Sequence, residues 1–171
     1  MNIELIKEKV RLVKLSHEGK SVTQILNDLN FVIAYLSNDY PYIDDTKGCN
    51  IKSNKLRAVL LNPNLHENEL TEVLAHELGH VYIHPNINTF RIHDIDPIWG
   101  KHLEIEADTF ASEFLLDDDV FEKNISMTFE EIASELCVSV NLIKLKFNNL
   151  SSNKKKELKK LYKDSYELFD I

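Results

Sequence analysis

Cysteine is nearly missing from this chain: Cys49 and Cys137 are the two that its 171 residues contain. They are too few for a disulfide framework, and neither belongs to a Cys-x-x-Cys pair, so they read as reduced thiols, which suits a cytosol. Long apolar runs are missing too. No uncharged stretch reaches the roughly 18 residues of a membrane span, and the N-terminal MNIELIKEKVRLVKLS alternates charges where a signal peptide needs a continuous apolar core. The expectation is a cytoplasmic protein without a membrane partner. Nor is there an excess of positive charge: 20 Lys and Arg face 28 Asp and Glu, giving a formal charge of -8 and a pI near 5.4. That balance disfavours attraction of the whole molecule to nucleic-acid phosphate or anionic lipid and leaves only local patches for such partners. There is no internal repeat and no low-complexity linker.

What is present is a chain that is 43% hydrophobic, the right size for one globular domain, with room for a small appended helical unit. Ile3, Ile6, Val10 and Val13 lie at helical spacing and predict an amphipathic helix over 2–15, ended near Gly19. Ser21 is the expected cap of a second helix through VTQILNDLNFVIAYLS, on the period of Ile25, Leu26, Leu29, Val32 and Ile33. Between Tyr40 and Leu65, Pro41, Gly48 and Asn-rich turn signals separate β-branched runs, which predicts two or three short strands, the last closed by Asn62-Pro63. Asn68 is the expected cap of a helix through ELTEVLAHELGHVYI that His84-Pro85 stops, and KHLEIEADTFASEFLL reads as a further strong helix. Between them NINTFRIHDIDPIWG, with Pro97 and Gly100, reads as an irregular loop. Residues 128–150 read as two short helices around a Val138-Ser139 turn with Ser139 as cap, and the tail reads as a charged helix.

The string HELGH, His76 to His80, carries the chemistry. A chain of this composition gives roughly 0.03 chance matches to His-Glu-x-x-His. Residues four apart on a helix are turned by only about 40°, so His76 and His80 present both imidazoles on one face and can share an ion. Glu77 lies on the flank of that pair, placed to take a hydrogen bond from a water without being a ligand. Gly79 costs the helix about 1 kcal/mol relative to Ala, which close approach by another element would explain. A catalytic zinc takes three protein ligands and an open position. Glu104 and Asp108 stand i and i+4 in LEIEAD, so the first can complete the ligand set while the second holds a ligand imidazole. Glu106 points roughly 200° from Glu104 at ~100° per residue and is expected in solvent. The plainer reading is two half-exposed helix histidines, with Ala107, Phe110, Ala111, Phe114 and Leu115 as an ordinary core face that lets the two helices lie close.

HELGH followed by EIEADTFASEFLL resembles the ImmA/IrrE family of zinc metallopeptidase-like proteins and, more broadly, the gluzincins. The family pattern, His-Glu-x-x-His and then Glu-x-x-Ala-Asn/Asp-x-Phe-Ala-x-x-Leu-Leu, falls here on His76, Glu77, His80, Glu104, Ala107, Asp108, Phe110, Ala111, Leu115 and Leu116. The resemblance covers roughly residues 20 to 150. Leu116-Asp117 stands where the family often has Met-Pro, and Phe114 is a second departure; both touch packing. The resemblance implies an α+β, mostly helical minimal zincin fold, with a small sheet of about three strands packed on the HExxH helix and helices at the C-terminus. It implies a metallopeptidase domain over 1–125 and a helix-turn-helix-like extension over 126–171 packed on it. Zn2+ would be held by His76, His80 and Glu104, with Asp108 behind them and Glu77 as general base. The substrate would be a partner protein, a helix-turn-helix repressor of a phage or mobile element, cut in a bacterial cytoplasm so that repression is relieved. The exposed edge of strand Leu56–Leu61 would align it. Tyr82, His84, His93 and His102 are the candidates for steadying the oxyanion or binding substrate, although His84 in the last helical turn also fits a cation at the negative end of the dipole.

Two rivals stand beside this reading. EEIASELCVSVNLIKLKF resembles a helix-turn-helix, which suggests an IrrE-like DNA-binding regulator whose metal site is sensory or structural. Against it, residues 140–149 offer only Lys144 and Lys146 as cations, with no Arg for bidentate guanine contacts. The run Lys154-Lys155-Lys156 with Lys159 and Lys160 reads as a solvated face diluted by Glu157 and Asp164. The third reading, a catalytically silent metal-binding toxin or scaffold, leaves Glu77 without a purpose.

Overall fold

The computed structural model describes residues 2–53, 55–90 and 96–161. Helix α1, Ile3–Ser16, opens where the Asn2 side chain accepts the Glu4 N–H, and it buries Ile6, Val10 and Val13. After Gly19, whose φ of +72° suits a reversal, a Ser21–Gln24 capping box starts α2, Val22–Asp28. The predicted second helix stops far short of its expected end. Asn30 takes φ +61°, a left-handed conformation that breaks a helix, and the β-branched residues beyond it form strand β1, Val32–Tyr35. Their apparent helical period was outweighed by the pairing they find in a sheet.

That sheet has two more strands, β2 (Gly48–Lys52) and β3 (Arg57–Leu61), in the order β1-β3-β2. β1 runs parallel to β3, from Val32 opposite Ala58 to Tyr35 opposite Leu61. β2 is antiparallel to it, with Gly48 opposite Leu61. β3, the strand expected to offer an edge to substrate, is therefore the central one, and β2 is the edge that lines the cleft described below.

Helix α3, Glu67–Ile83, takes His66 as N-cap, with the Glu69 carboxylate accepting the His66 N–H at 3.2 Å. Asn68, the expected cap, is already inside the helix. Helix α4 spans Pro97–Leu115, and so begins earlier than the loop-like Pro97 and Gly100 suggest. Pro97 occupies the first turn, where a missing N–H leaves nothing unpaired, and Asp96 accepts the N–H groups of Ile98 and Trp99. Four short helices follow: α5 (Val120–Lys123), α6 (Phe129–Glu135), α7 (Val140–Asn148) and α8 (Ser152–Leu161). Among the described residues no helix is long and apolar enough to cross a membrane.

The core joins α1, α2, the sheet and the α3–α4 pair through Val59, Leu61, Leu74, Leu78 and Phe110, then continues into Phe121, Ile132 and Ile143. α7 is tied down by polar contacts as well. Ser139 donates both its N–H and its hydroxyl to the Glu72 carboxylate at 2.7 Å. Lys146, only 1% exposed, donates to Glu113 at 2.6 Å and to Asp118 at 2.8 Å. One of the two cations that a DNA-reading helix would have offered is thus spent inside the protein.

Candidate metal centre

α3 and α4 pack face to face, and Gly79 makes the approach possible. A Cβ there would lie 3.1 Å from the Ala107 carbonyl oxygen and 3.1 Å from Phe110 Cβ, backbone and near-backbone atoms that cannot swing aside. The close approach carries Glu104 over the two histidines one turn apart on α3. His76 Nε2 and His80 Nε2 lie 3.0 Å apart. Glu104 Oε2 is 3.2 Å from the first and Oε1 3.3 Å from the second. Ligands on a tetrahedral ion with bonds of about 2.0–2.1 Å sit about 3.3 Å from each other, so these three side chains could hold such an ion with little adjustment. Two nitrogens at that distance also need a cation or a proton between them, since bare lone pairs repel.

The electrostatics favour positive charge here. Burial opposes charging His76, yet its hydrogen bonds to Asp108 and Glu104, with Glu77 nearby, push its imidazole up to about 10. Burial would raise Glu104, but the His76 and His80 imidazoles set against it hold its carboxyl well below the usual range. Asp108 accepts from His76 Nδ1 at 2.7 Å, leaving Nε2 for the centre. His80 is sealed from solvent, whereas the Glu104 side chain is 44% exposed, so the cluster opens on the Glu104 side.

It opens into a cleft of about 630 Å³, whose walls include β2 at Gly48 and Cys49, α3 at Val73, α4 at Gly100 and Lys101, and the α6–α7 turn at Val138. Glu77, 2% exposed, reaches the same cleft. Its Oε2 accepts from Asn50 Nδ2 at 3.0 Å and from the Thr89 hydroxyl at 3.4 Å. Sequence reading singled out neither donor, because each meets Glu77 only through the fold; the available hint is a polar Asn50 between the apolar Cys49 and Ile51 of a short strand. Gly48 is part of the same arrangement: a Cβ there would sit 2.7 Å from Val73 Cγ1 and 3.3 Å from Glu77 Oε1. The edge strand can pass this close to the carboxylate only as glycine.

The remaining candidates are scattered. Tyr82 turns its hydroxyl to His17 at 2.9 Å and stacks on Phe110, away from the cleft. His102 is exposed and hydrogen-bonds the Ile98 carbonyl with Nδ1 at 2.7 Å. His93 lies outside the described residues. His84 is buried behind the cluster, where burial, with His80 and Lys52 beside it, pushes its imidazole down to about 4. The expected cation at the end of α3 is instead Lys52, whose ammonium donates to the carbonyls of His80 and His84 at 3.1 and 3.2 Å. Nor is Glu106 a solvated side chain: it accepts from His84 Nε2 at 2.8 Å.

Two helix-borne imidazoles and a carboxylate converging beside a buried glutamate in an open cleft define a centre of the metallopeptidase type. In agreement, the profile of the IrrE N-terminal-like domain, peptidase M78, matches residues 37–169, and the chain belongs to that family. It is 39% identical over 90 residues to "Uncharacterized immunity region protein 2" of Bacillus phage phi105, a match covering 52% of this chain and 57% of that protein. Over 120 residues it is 31% identical to Metallopeptidase ImmA of Bacillus subtilis (strain 168), covering 69% of this chain and 67% of that one.

Proposed function

We propose that this protein is a zinc-dependent endopeptidase that cleaves a partner protein, a helix-turn-helix repressor of a phage or mobile element, and so relieves repression. The observation that carries the peptidase reading is the buried Glu77, fixed by Asn50 and Thr89 beside the converging His76, His80 and Glu104. These three residues are the proposed ligands, and two imidazoles with one carboxylate suit Zn2+. A bound Zn2+ supplies Lewis acidity to polarise the scissile carbonyl and to acidify water. Glu77 takes the proton of the attacking water on its carboxylate and delivers it to the departing amine, so that no covalent acyl-enzyme is needed. Asn50 and Thr89 keep that carboxylate aimed while it changes charge.

The substrate chain is aligned by β2. Along this strand alternate residues face β3, and Asn50 N–H already turns outward to Thr89 at 2.7 Å. Gly48, two residues earlier, therefore presents its backbone outward as well, beside Glu77, where an extended peptide can add a strand. Repressor as substrate rests on the family resemblance and on a relative from a phage immunity region. The competing DNA-binding reading is disfavoured by the burial of Lys146. To test the proposal, the protein is incubated with the helix-turn-helix repressor encoded beside its gene. Cleavage that zinc restores after chelation, and that Glu77→Gln abolishes, is the expected result. An intact repressor under all conditions overturns the substrate, and wild-type cleavage by Glu77→Gln overturns the mechanism.

A further inference from the structure

Behind the cleft, His80 makes a contact that the ligand set does not require. Its Nδ1 faces His84 Nδ1 at 3.0 Å, and His84 Nε2 faces Glu106 Oε2 at 2.8 Å. The residues come from two helices, His80 and His84 one turn apart at the end of α3 and Glu106 on α4. His80 and His84 are both buried, and the Glu106 side chain is 16% exposed.

We propose that Glu106 and His84 are positioning residues that fix the tautomer and ring plane of His80, so that its Nε2 is presented bare to a metal ion. This rests on the reading of His76, His80 and Glu104 as ligands. The hydrogen-bond directions follow from two constraints, an accepting carboxylate and an uncharged His84 set beside the Lys52 ammonium. A carboxylate accepts and does not donate, so Glu106 requires the proton of His84 on Nε2. A neutral His84 is then bare at Nδ1, and two facing Nδ1 atoms need one proton between them, so His80 must carry its own proton on Nδ1. That leaves His80 Nε2 as a lone pair 3.0 Å from His76 Nε2 and 3.3 Å from Glu104 Oε1, an arrangement that a cation held among the three would satisfy. Reversing the chain would put a bare His84 Nε2 against a carboxylate oxygen and a proton on the ligating nitrogen. Positive charge at this helix end is already supplied by Lys52, which donates to the His80 and His84 carbonyls.

The two ligand histidines are thus held by unlike means. His76 meets Asp108 directly, at a carboxylate that is 55% exposed. His80 is held through an imidazole, in a place closed to water, because the backbone of α3 puts a residue one turn on between it and α4. Partners of this kind typically change metal affinity by about 10- to 100-fold when removed.

The test is zinc affinity of the full chain, measured by competition with a chromophoric chelator, together with the melting temperature of each metal-free variant. His84→Phe and Glu106→Leu are expected to weaken zinc binding about 10- to 100-fold. The double variant should be no weaker than His84→Phe alone, because Glu106 acts through His84. Glu106→Gln, which still accepts a hydrogen bond, should restore most of the affinity. A second measurement needs no variant: ring nitrogen-15 shifts of the zinc-loaded wild type should show His80 protonated at Nδ1 and His84 protonated at Nε2 only. Wild-type zinc affinity in both single variants, additive losses in the double variant, or His84 protonated at Nδ1 would overturn the relay while leaving the ligand set intact. A wild-type chain that takes up no zinc overturns the ligand set and the relay with it.

Discussion

The helix pairs α3–α4 and α6–α7 both carry polar side chains that could serve chemistry, and they dispose of them in opposite ways. Between α3 and α4, Glu77, His76, His80 and Glu104 converge at the wall of an open cleft. In α6–α7 the polar groups that could serve chemistry are already taken by partners. Ser139 is consumed by Glu72, and Lys146 by Glu113 and Asp118. A buried polar group that has all its partners is structure, whereas a cluster whose partners leave one side open is a site. That contrast is why we read the helix-turn-helix likeness of residues 128–150 as a chain path rather than a DNA-reading surface.

The largest expected effect breaks the first pair. Glu77→Gln should lower the rate of peptide hydrolysis by about 10²- to 10⁴-fold with zinc uptake retained, read by cleavage assay and metal analysis side by side. Next comes the second pair. Lys146→Met leaves Glu113 buried, with one of its oxygens already unpartnered, and should cost about 3–5 kcal/mol in denaturant unfolding without altering zinc affinity. If that variant lost zinc but kept its stability, the contrast between the pairs would fail. Stripping the metal should be milder. At a zinc concentration about 100 times the dissociation constant the ion contributes roughly 2.7 kcal/mol, so chelation should lower the melting temperature by about 5–10 °C. Gly79→Ala sets a small gain in helix propensity against a contact with the α4 backbone and should destabilise by about 1 kcal/mol. Least of all, Lys144→Ala should stay within about 0.5 kcal/mol and leave cleavage unchanged, while a strong loss of affinity for operator DNA would revive the DNA-binding reading.

How far the sequence could be read depended on whether a feature is local. Spacing along one helix placed His76, His80 and Glu77 relative to each other, and Glu104 relative to Asp108, because a helix has one geometry. Gly79 predicted close helix approach for the same reason, and α4 does lie against it. Features that depend on pairing across the chain escaped. Val32 and Ile33 keep a helical period yet join a parallel strand whose partner begins at Arg57. Which strand would be the edge could not be read, since β3 follows β2 in the chain but lies between β1 and β2. Asn50 and Thr89 reach Glu77 only after folding. Glu106 was expected in solvent from its angle to Glu104, but that angle aims it at His84, a residue whose position only the packing of α3 on α4 reveals.

The central claim is that His76, His80 and Glu104 hold one zinc ion, and anomalous diffraction at the zinc edge from crystals of the zinc-loaded protein tests it most directly. The account predicts one strong peak per chain, about 2.0–2.2 Å from His76 Nε2, His80 Nε2 and a Glu104 oxygen. No peak there, or a peak with ligands other than these three, would contradict it.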